Sequence, residues 1–555
     1  MVRLAFAGVL LLVSSVLTAA DPKPRPDGDG RPLPAEAIRR FGLSAKEGDK
    51  VVALPSARWP AYRFSADGKT VTRVGGDTAV TWDGATGREL GRVAPAKLLA
   101  EGVPGVPLTA DNYPKKLAAR SPDGKAALTY TNPTLQQMQF ELTLKVGGKA
   151  WPDTGLTQRM VGVLQLAFTP DGRYALAQLD QEHLHIWDVT GEESGGTAIT
   201  FAAPGPSGYR QVPLMHPAPD SRRVALVEFD PKTPTLHKDA MASYQWRLGV
   251  YELDTRRRMA GLSGAGVLTA VDWSADAARI GGAGRAAGKD YGSEAGFAFV
   301  ATDTGAFVMP PAEFSRPATA CALSPDARTL AVGTDSEVRL YEVRTGHVRH
   351  TFRPAGGDVL ALRFHPDGRS LLSESADGAV TQWDVRGDLA PPPEPDAAAL
   401  NRLWAELDST DAATAFQAVR RVATHPAKAL PFLKGKVAGE TRPTDAEIDG
   451  RVADLKSRAF AERHAAEKQL RAMGMVAHPA LKVALATDSS PELRERATRL
   501  LAVTFTPATV RTTRLVEAVE LAGTAEAKSL LTAWAGNAGP ELTAEAMATL
   551  RRGRK

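Results

Sequence analysis

Ser121-Pro122-Asp123-Gly124 sits between two short runs of strand-forming residues, and the arrangement recurs six more times along the chain. The copies are Phe64-Ser65-Ala66-Asp67-Gly68-Lys69, Thr169-Pro170-Asp171-Gly172, Ala218-Pro219-Asp220-Ser221, Ser274-Ala275-Asp276-Ala277, Ser324-Pro325-Asp326-Ala327 and His365-Pro366-Asp367-Gly368. Successive turn aspartates lie 56, 48, 49, 56, 50 and 41 residues apart, a period that signals stacked copies of one supersecondary unit. Pro presets φ for a β-turn, Asp bonds the local backbone and Gly tolerates the exit, so each copy reads as a turn between two strands. An apolar strand precedes the turn, as at Leu164–Phe168 and Val359–Phe364, and a second strand follows, as at Thr329–Val332. After a tight turn, at Asp335 or Asp377, a third strand ends in Trp82-Asp83, Trp187-Asp188, Tyr251-Glu252, Tyr341-Glu342 or Trp383-Asp384. A Thr-Gly-type turn then leads into a fourth strand, at Thr86-Gly87, Thr190-Gly191, Thr304-Gly305 and Thr345-Gly346.

Seven four-stranded units of this kind, stacked face to face around an axis, make an all-β seven-bladed propeller over residues 50–389. The turn and Trp-Asp residues resemble the WD40 repeat family, especially its secreted bacterial members with a helical C-terminal extension, over residues 50–387. Blades two and five depart from the pattern, with Lys145-Val146 and Ala301-Thr302 in place of Trp-Asp, and the family's Gly-His pair before the first strand is missing. The resemblance implies a propeller that binds protein partners. Blade seven has only three strands after Trp383-Asp384-Val385, so Lys50–Leu54 is expected to supply its outermost strand and close the ring, since an unclosed ring exposes two edges.

Composition narrows the function classes. The chain has 555 residues, 43% hydrophobic and 24% charged, which fits a globular protein and excludes collagen-like, wholly disordered and multi-span membrane classes. Cys321 is the single cysteine, so an intrachain disulfide, a CxxC redox pair and a cysteine-rich zinc site are excluded. The net charge of +5 comes from the end of the chain: Lys+Arg and Asp+Glu balance through residue 395, and four excess charges sit in Arg551-Arg552-Gly553-Arg554-Lys555. A short basic tail is not a basic face, and no nucleic-acid partner is expected. At the N-terminus, Met1-Val2-Arg3, an apolar run Leu4–Ala20 and the small residues Thr18, Ala19 and Ala20 read as a secretory signal over residues 1–20, cleaved after Ala20. The expected location is extracytoplasmic, periplasmic or secreted, with no membrane attachment after cleavage. Retention as an uncleaved anchor is the alternative. Residues 21–49 read as a linker.

Residues 390–396 include Ala390-Pro391-Pro392-Pro393-Glu394-Pro395, a stiff spacer expected to separate two folding units. Beyond it the apolar period becomes helical. Leu400, Leu403, Trp404 and Leu407 recur at i, i+3, i+4 and i+7, as do Ala527, Leu530, Leu531 and Trp534, with Leu493, Ala497, Leu500 and Leu501 a close variant. Capping residues place helix starts at Asp411, Thr444, Ser490 and Thr524. The expectation for residues 397–555 is an all-α domain of eight or nine helices, an α-solenoid of HEAT-like pairs or else a compact bundle.

The sequence specifies no convergent reactive constellation. His183-Leu184-His185 offers two imidazoles on one strand face but specifies no third ligand. Gly281-Gly282-Ala283-Gly284-Arg285-Ala286-Ala287-Gly288-Lys289 lacks the phosphate-loop spacing and reads as a hairpin loop. GxSxG and HExxH motifs are absent. No catalytic residue, cofactor or metal is therefore assigned, and the expectation is a non-enzymatic, monomeric protein-interaction scaffold. The alternative is an enzyme or glycan-binding propeller using the central channel mouth. Long insertions fall on the face opposite the Pro-Asp turns, and their residues Tyr113, Tyr209, His237, Tyr244 and Tyr291 are the partner-binding candidates.

Overall fold

The computed structural model describes residues 27, 32–41, 44–47, 50–53, 61–65, 68–75, 78–93, 97, 108–110, 116–134, 139–151, 164–178, 183–191, 197–200, 215–229, 245–287, 294–438, 443–473, 477–488, 490–502 and 507–552. Each repeat forms a four-stranded antiparallel sheet, to which blade three adds a fifth strand, Leu108–Ala110, alongside Leu164–Phe168, and seven blades run from Ala37 to Asp384. Blade six is typical: Ala320–Leu323, Thr329–Gly333, Val338–Glu342 and Val348–Phe352 pair in chain order from the channel outward. The Pro-Asp turns behave as their sequence demands. In Ser121-Pro122-Asp123-Gly124 the Ser121 Oγ donates to Asp123 Oδ1 at 2.6 Å and accepts from the Ala126 amide at 2.9 Å, while Gly124 N bonds Ser121 O at 2.9 Å. The last turn residue is left-handed in all seven copies, with φ between 57° at Ala327 and 78° at Gly172, which explains the glycine there in four of them. Trp82, Trp187 and Trp383 are among the largest fully buried side chains, wedged between neighbouring blades.

Ring closure uses an N-terminal strand, but not the expected one. Ala37–Phe41 pairs antiparallel with Val380–Asp384 and completes blade seven. Lys50–Ala53 instead pairs with Ser44–Glu47 in a separate two-stranded hairpin. The reason lies in the side chains of the closing strand. Ala37 and Phe41 are fully buried, and the Phe41 ring lies 5.8 Å from that of Trp82 in blade one. Across the same seam Arg73 of blade one donates through Nε to Glu374 Oε2 of blade seven at 2.9 Å, both side chains fully buried.

Ten helices follow among the described residues: α1 (Ala397–Glu406), α2 (Ala412–Thr424), α3 (Pro426–Val437), α4 (Asp445–Asp454), α5 (Phe460–Met473), α6 (His478–Thr487), α7 (Pro491–Ala502), α8 (Pro507–Ala522), α9 (Ala525–Asn537) and α10 (Pro540–Arg552). Asp411, Thr444 and Thr524 cap α2, α4 and α9 as their positions predict, with a reciprocal capping box between Thr444 and Glu447. The order of packing is not that of a solenoid, where each helix meets only chain neighbours. Here α2 packs against α8, and α9 and α10 fold back on α8, while α4–α7 form a four-helix module around Leu455, Leu470, Leu481 and Ala497. The spacer does not separate independent units either. Phe352, Trp383 and Val385 of the ring share one continuous core with Leu403, Phe416, Val419 and Val516 of the helices.

Candidate functional site

Among the described residues, two gatherings of ionisable side chains tie the ring together, one at the channel and one at the joint between ring and helices. At the position two before the turn, blades two, three and six have Ala119, Ala167 and Ala322 and blade one has Arg63, whereas the other three blades build the channel cluster there from long polar residues. These residues are His216, Asp272 and Arg363 from blades four, five and seven. Arg363 Nη1 reaches past blade six to Asp272 Oδ1 at 3.0 Å, and Asp272 Oδ2 accepts the Leu323 amide of blade six at 2.9 Å. Trp273 Nε1 donates to His216 O at 3.0 Å, tying blade five to blade four.

The protonation chemistry of this cluster favours cohesion over reaction. Burial, with Arg363 adding to it, pulls the His216 imidazole down to about 4, so it is neutral at pH 7. Burial raises the Asp272 carboxyl, against the opposing pull of Arg363 and the Leu323 amide. Nearby Cys321 is buried, and desolvation with the Asp272 charge pushes its thiol well above the usual range. The thiolate is the nucleophilic form, so this sulfur is held inert.

The joint is larger. On the Pro-Asp side of the ring a residue of one blade reaches the third-to-fourth-strand turn of the next: Tyr174 OH bonds Asp254, and Arg223 bonds Asp303. At the corresponding position of blade six the aspartate is replaced by Arg344. The negative charge then comes from the helices. Arg344 Nη2 donates to Glu545 Oε1 at 2.8 Å and to Thr513 Oγ1 at 2.9 Å. Arg328 bonds Glu520 at 2.6 Å, Glu545 at 3.2 Å and Thr549 at 3.0 Å. Arg514 of α8 grips Glu342 of blade six with two bonds at 2.6 and 2.7 Å, and Arg349 pairs with Glu517. Burial opposes the Arg328 charge, yet Glu520, Asp326, Glu545 and Glu517 hold its guanidinium well above its ordinary range. The joint also secures ring closure. Glu36, one residue before the closing strand, takes Arg420 of α2 at 2.9 Å and His350 of blade six at 2.8 Å.

The partner-binding candidates Tyr113, Tyr209, His237, Tyr244 and Tyr291 lie outside the described residues. His183 and His185 sit on one strand with ring centroids 6.2 Å apart, and His185 stacks on Trp187 at 6.1 Å. The glycine run read as a hairpin loop is largely a strand, Arg279–Ala287, paired with Glu294–Thr302. Its glycines serve packing: a Cβ on Gly282 would stand 2.4 Å from Phe299, and one on Gly284 would stand 2.1 Å from Val267 O. Sequence reading missed both ionic clusters, although setting the third-to-fourth-strand turns against one another shows arginine, at Arg344 and Arg386, where blades four and five carry Asp254 and Asp303.

Residues 346–384, spanning most of blade seven, match the family described as WD domain, G-beta repeat. The chain is 39% identical over 66 residues to target of rapamycin complex subunit wat1 of Schizosaccharomyces pombe, covering 12% of this chain and 21% of that one. It is 34% identical over 68 residues to target of rapamycin complex subunit LST8 of Saccharomyces cerevisiae, covering 12% and 22%. The chain thus matches under a quarter of the length of these relatives. A solved structure of hydrazine synthase from Kuenenia stuttgartiensis is similar at 12% identity and a TM-score of 0.40, covering 61% of this chain and 98% of that one. The fold is a seven-bladed β-propeller with a WD40 repeat. Propellers of this repeat class typically serve as scaffolds for protein interaction, and the two curated relatives are named as complex subunits.

Proposed function

We propose that this chain is a non-enzymatic protein-interaction scaffold that acts as a monomer outside the cytoplasm. The observation that carries the reading is the joint: buried ion pairs and a shared core make ring and helices one body, a rigid platform with several separate surfaces. Export rests on the N-terminal apolar run and its small-residue end. The cluster of His216, Asp272 and Arg363 favours a second reading, a propeller that takes a small polar ligand or glycan at its channel. One experiment separates the two. The mature chain is used for affinity capture from its own extracytoplasmic fraction, beside a chain carrying Arg363→Ala and Asp272→Asn. A scaffold recovers the same protein partner with both chains. Recovery of no protein, with glycan or small-molecule binding that the double variant loses, overturns the scaffold reading in favour of the channel.

A further inference from the structure

The module α4–α7 is inserted between α3 and α8, holds its own core and packs chiefly on itself. The two most exposed large hydrophobic side chains among the described residues, Phe460 at 67% and Val483 at 61%, both belong to it. Phe460 is held in place: its ring stacks on His464 at 6.0 Å with planes 6° apart, and the Arg463 guanidinium lies 5.7 Å from its centre. From Phe460 a cationic stripe runs down the shared face of α5 and α7. Arg463 reaches Glu492 at 3.1 Å, Arg496 reaches Glu467 at 2.6 Å, and Arg471 and Arg499 approach the same Glu467 at 3.2 and 3.7 Å. With Glu495, which Arg499 meets at 3.3 Å, this face carries four arginines against three carboxylates. Arg471 and Arg499 remain about half exposed, at 50% and 51%.

Phe and Arg are interface-enriched residue types, and an exposed aromatic beside half-hydrated guanidiniums forms an anchor with a charged rim. The excess positive charge selects the occupant. We propose that the α5/α7 face docks an acidic, partly apolar segment of a protein partner, with Phe460 as the apolar anchor and Arg471 and Arg499 pairing with its carboxylates. This assignment rests on the scaffold reading and names the surface through which it works. Guanidinium forks match carboxylates in two-bond geometry, whereas the mixed charges of this face suit a long phosphate chain poorly.

The test uses the full mature chain and a short fluorescein-labelled glutamate-rich peptide with leucines at i and i+4, followed by fluorescence anisotropy. Saturable binding that weakens with added salt is expected. Affinity should fall at least about tenfold in the Arg471→Glu, Arg499→Glu chain and in Phe460→Ser, and by less in Arg471→Gln, Arg499→Gln. All three sites are exposed, and unchanged circular dichroism and melting confirm that the fold is kept. No binding, or equal binding by the variants, overturns the proposal. So does tighter binding of a labelled oligodeoxynucleotide or of phosphatidylglycerol vesicles through the same residues. If the intact chain captures a protein partner and the Arg471→Glu, Arg499→Glu chain captures it equally well, the scaffold reading stands and this surface assignment falls.

Discussion

Replacing Arg514 with Met removes a deeply buried link between helices and ring that carries four hydrogen bonds. Its side chain is 2% exposed and that of Glu342 is 6% exposed. The substitution deletes two bonds to Glu342, at 2.6 and 2.7 Å, and two more from Nη1 to the carbonyls of Leu407 at 2.9 Å and Ser409 at 2.8 Å. Methionine fills similar volume, so the loss is chiefly electrostatic. Glu342 would keep the Thr345 hydroxyl at 2.7 Å but lose its paired cation. Stranding one partner of a buried pair costs about 3–5 kcal/mol, and the two orphaned carbonyls place this site toward the upper end. Urea unfolding followed by far-ultraviolet circular dichroism measures the loss. Adding Glu342→Leu removes the stranded charge and should restore about 1–3 kcal/mol, which a double-mutant cycle isolates. A single variant within about 0.5 kcal/mol of the parent would refute the reasoning, since that is the range of changes at unremarkable surface sites.

Three further outcomes follow from the same geometry. Joint stability should depend on acid pH: burial opposes the Asp326 charge, but Arg328 and Arg552 hold its carboxyl down to about 2 from 3.8, so its contribution is full above about pH 4 and fades toward pH 2. Glu342 and Glu545 are lowered in the same direction, and Asp326→Asn should reduce stability at pH 7 and flatten the acid limb of a melting-versus-pH profile. Ser373→Ala should cost about 1–3 kcal/mol in thermal melts, because the fully buried Trp383 Nε1 loses its acceptor at 2.8 Å. A chain beginning at residue 42 should aggregate and lose cooperative unfolding in calorimetry, whereas deleting 44–53 should leave both intact, since Ala37–Phe41 alone closes blade seven.

Much of the ring was legible because every blade repeats one local rule. The Pro-Asp turn and its left-handed exit are set by a few adjacent residues, so seven copies announce seven blades. The closing strand escaped because Ala37-Ile38-Arg39-Arg40-Phe41 carries its buried residues at the ends and its charges in the middle. Lys50–Ala53 looks more strand-like, yet finds its partner in Ser44–Glu47, just two residues before it. Helix caps are local and were readable. The docking of α8 on blade six was not, since Arg514 and Glu342 lie 172 residues apart and each alone looks like an ordinary surface charge. The same holds for Asp272 and Arg363, whose proximity exists only once the ring is closed.

The central structural claim is that the helices are part of the ring, so that partners meet one rigid body. Native-state hydrogen exchange with mass spectrometry tests it most directly. Amides of α2 and α8 should exchange with the same opening free energy as those of Val348–Phe352, the blade six strand against which α2 packs. Exchange of α2 and α8 at markedly lower free energy, while the strand stays protected, would contradict it.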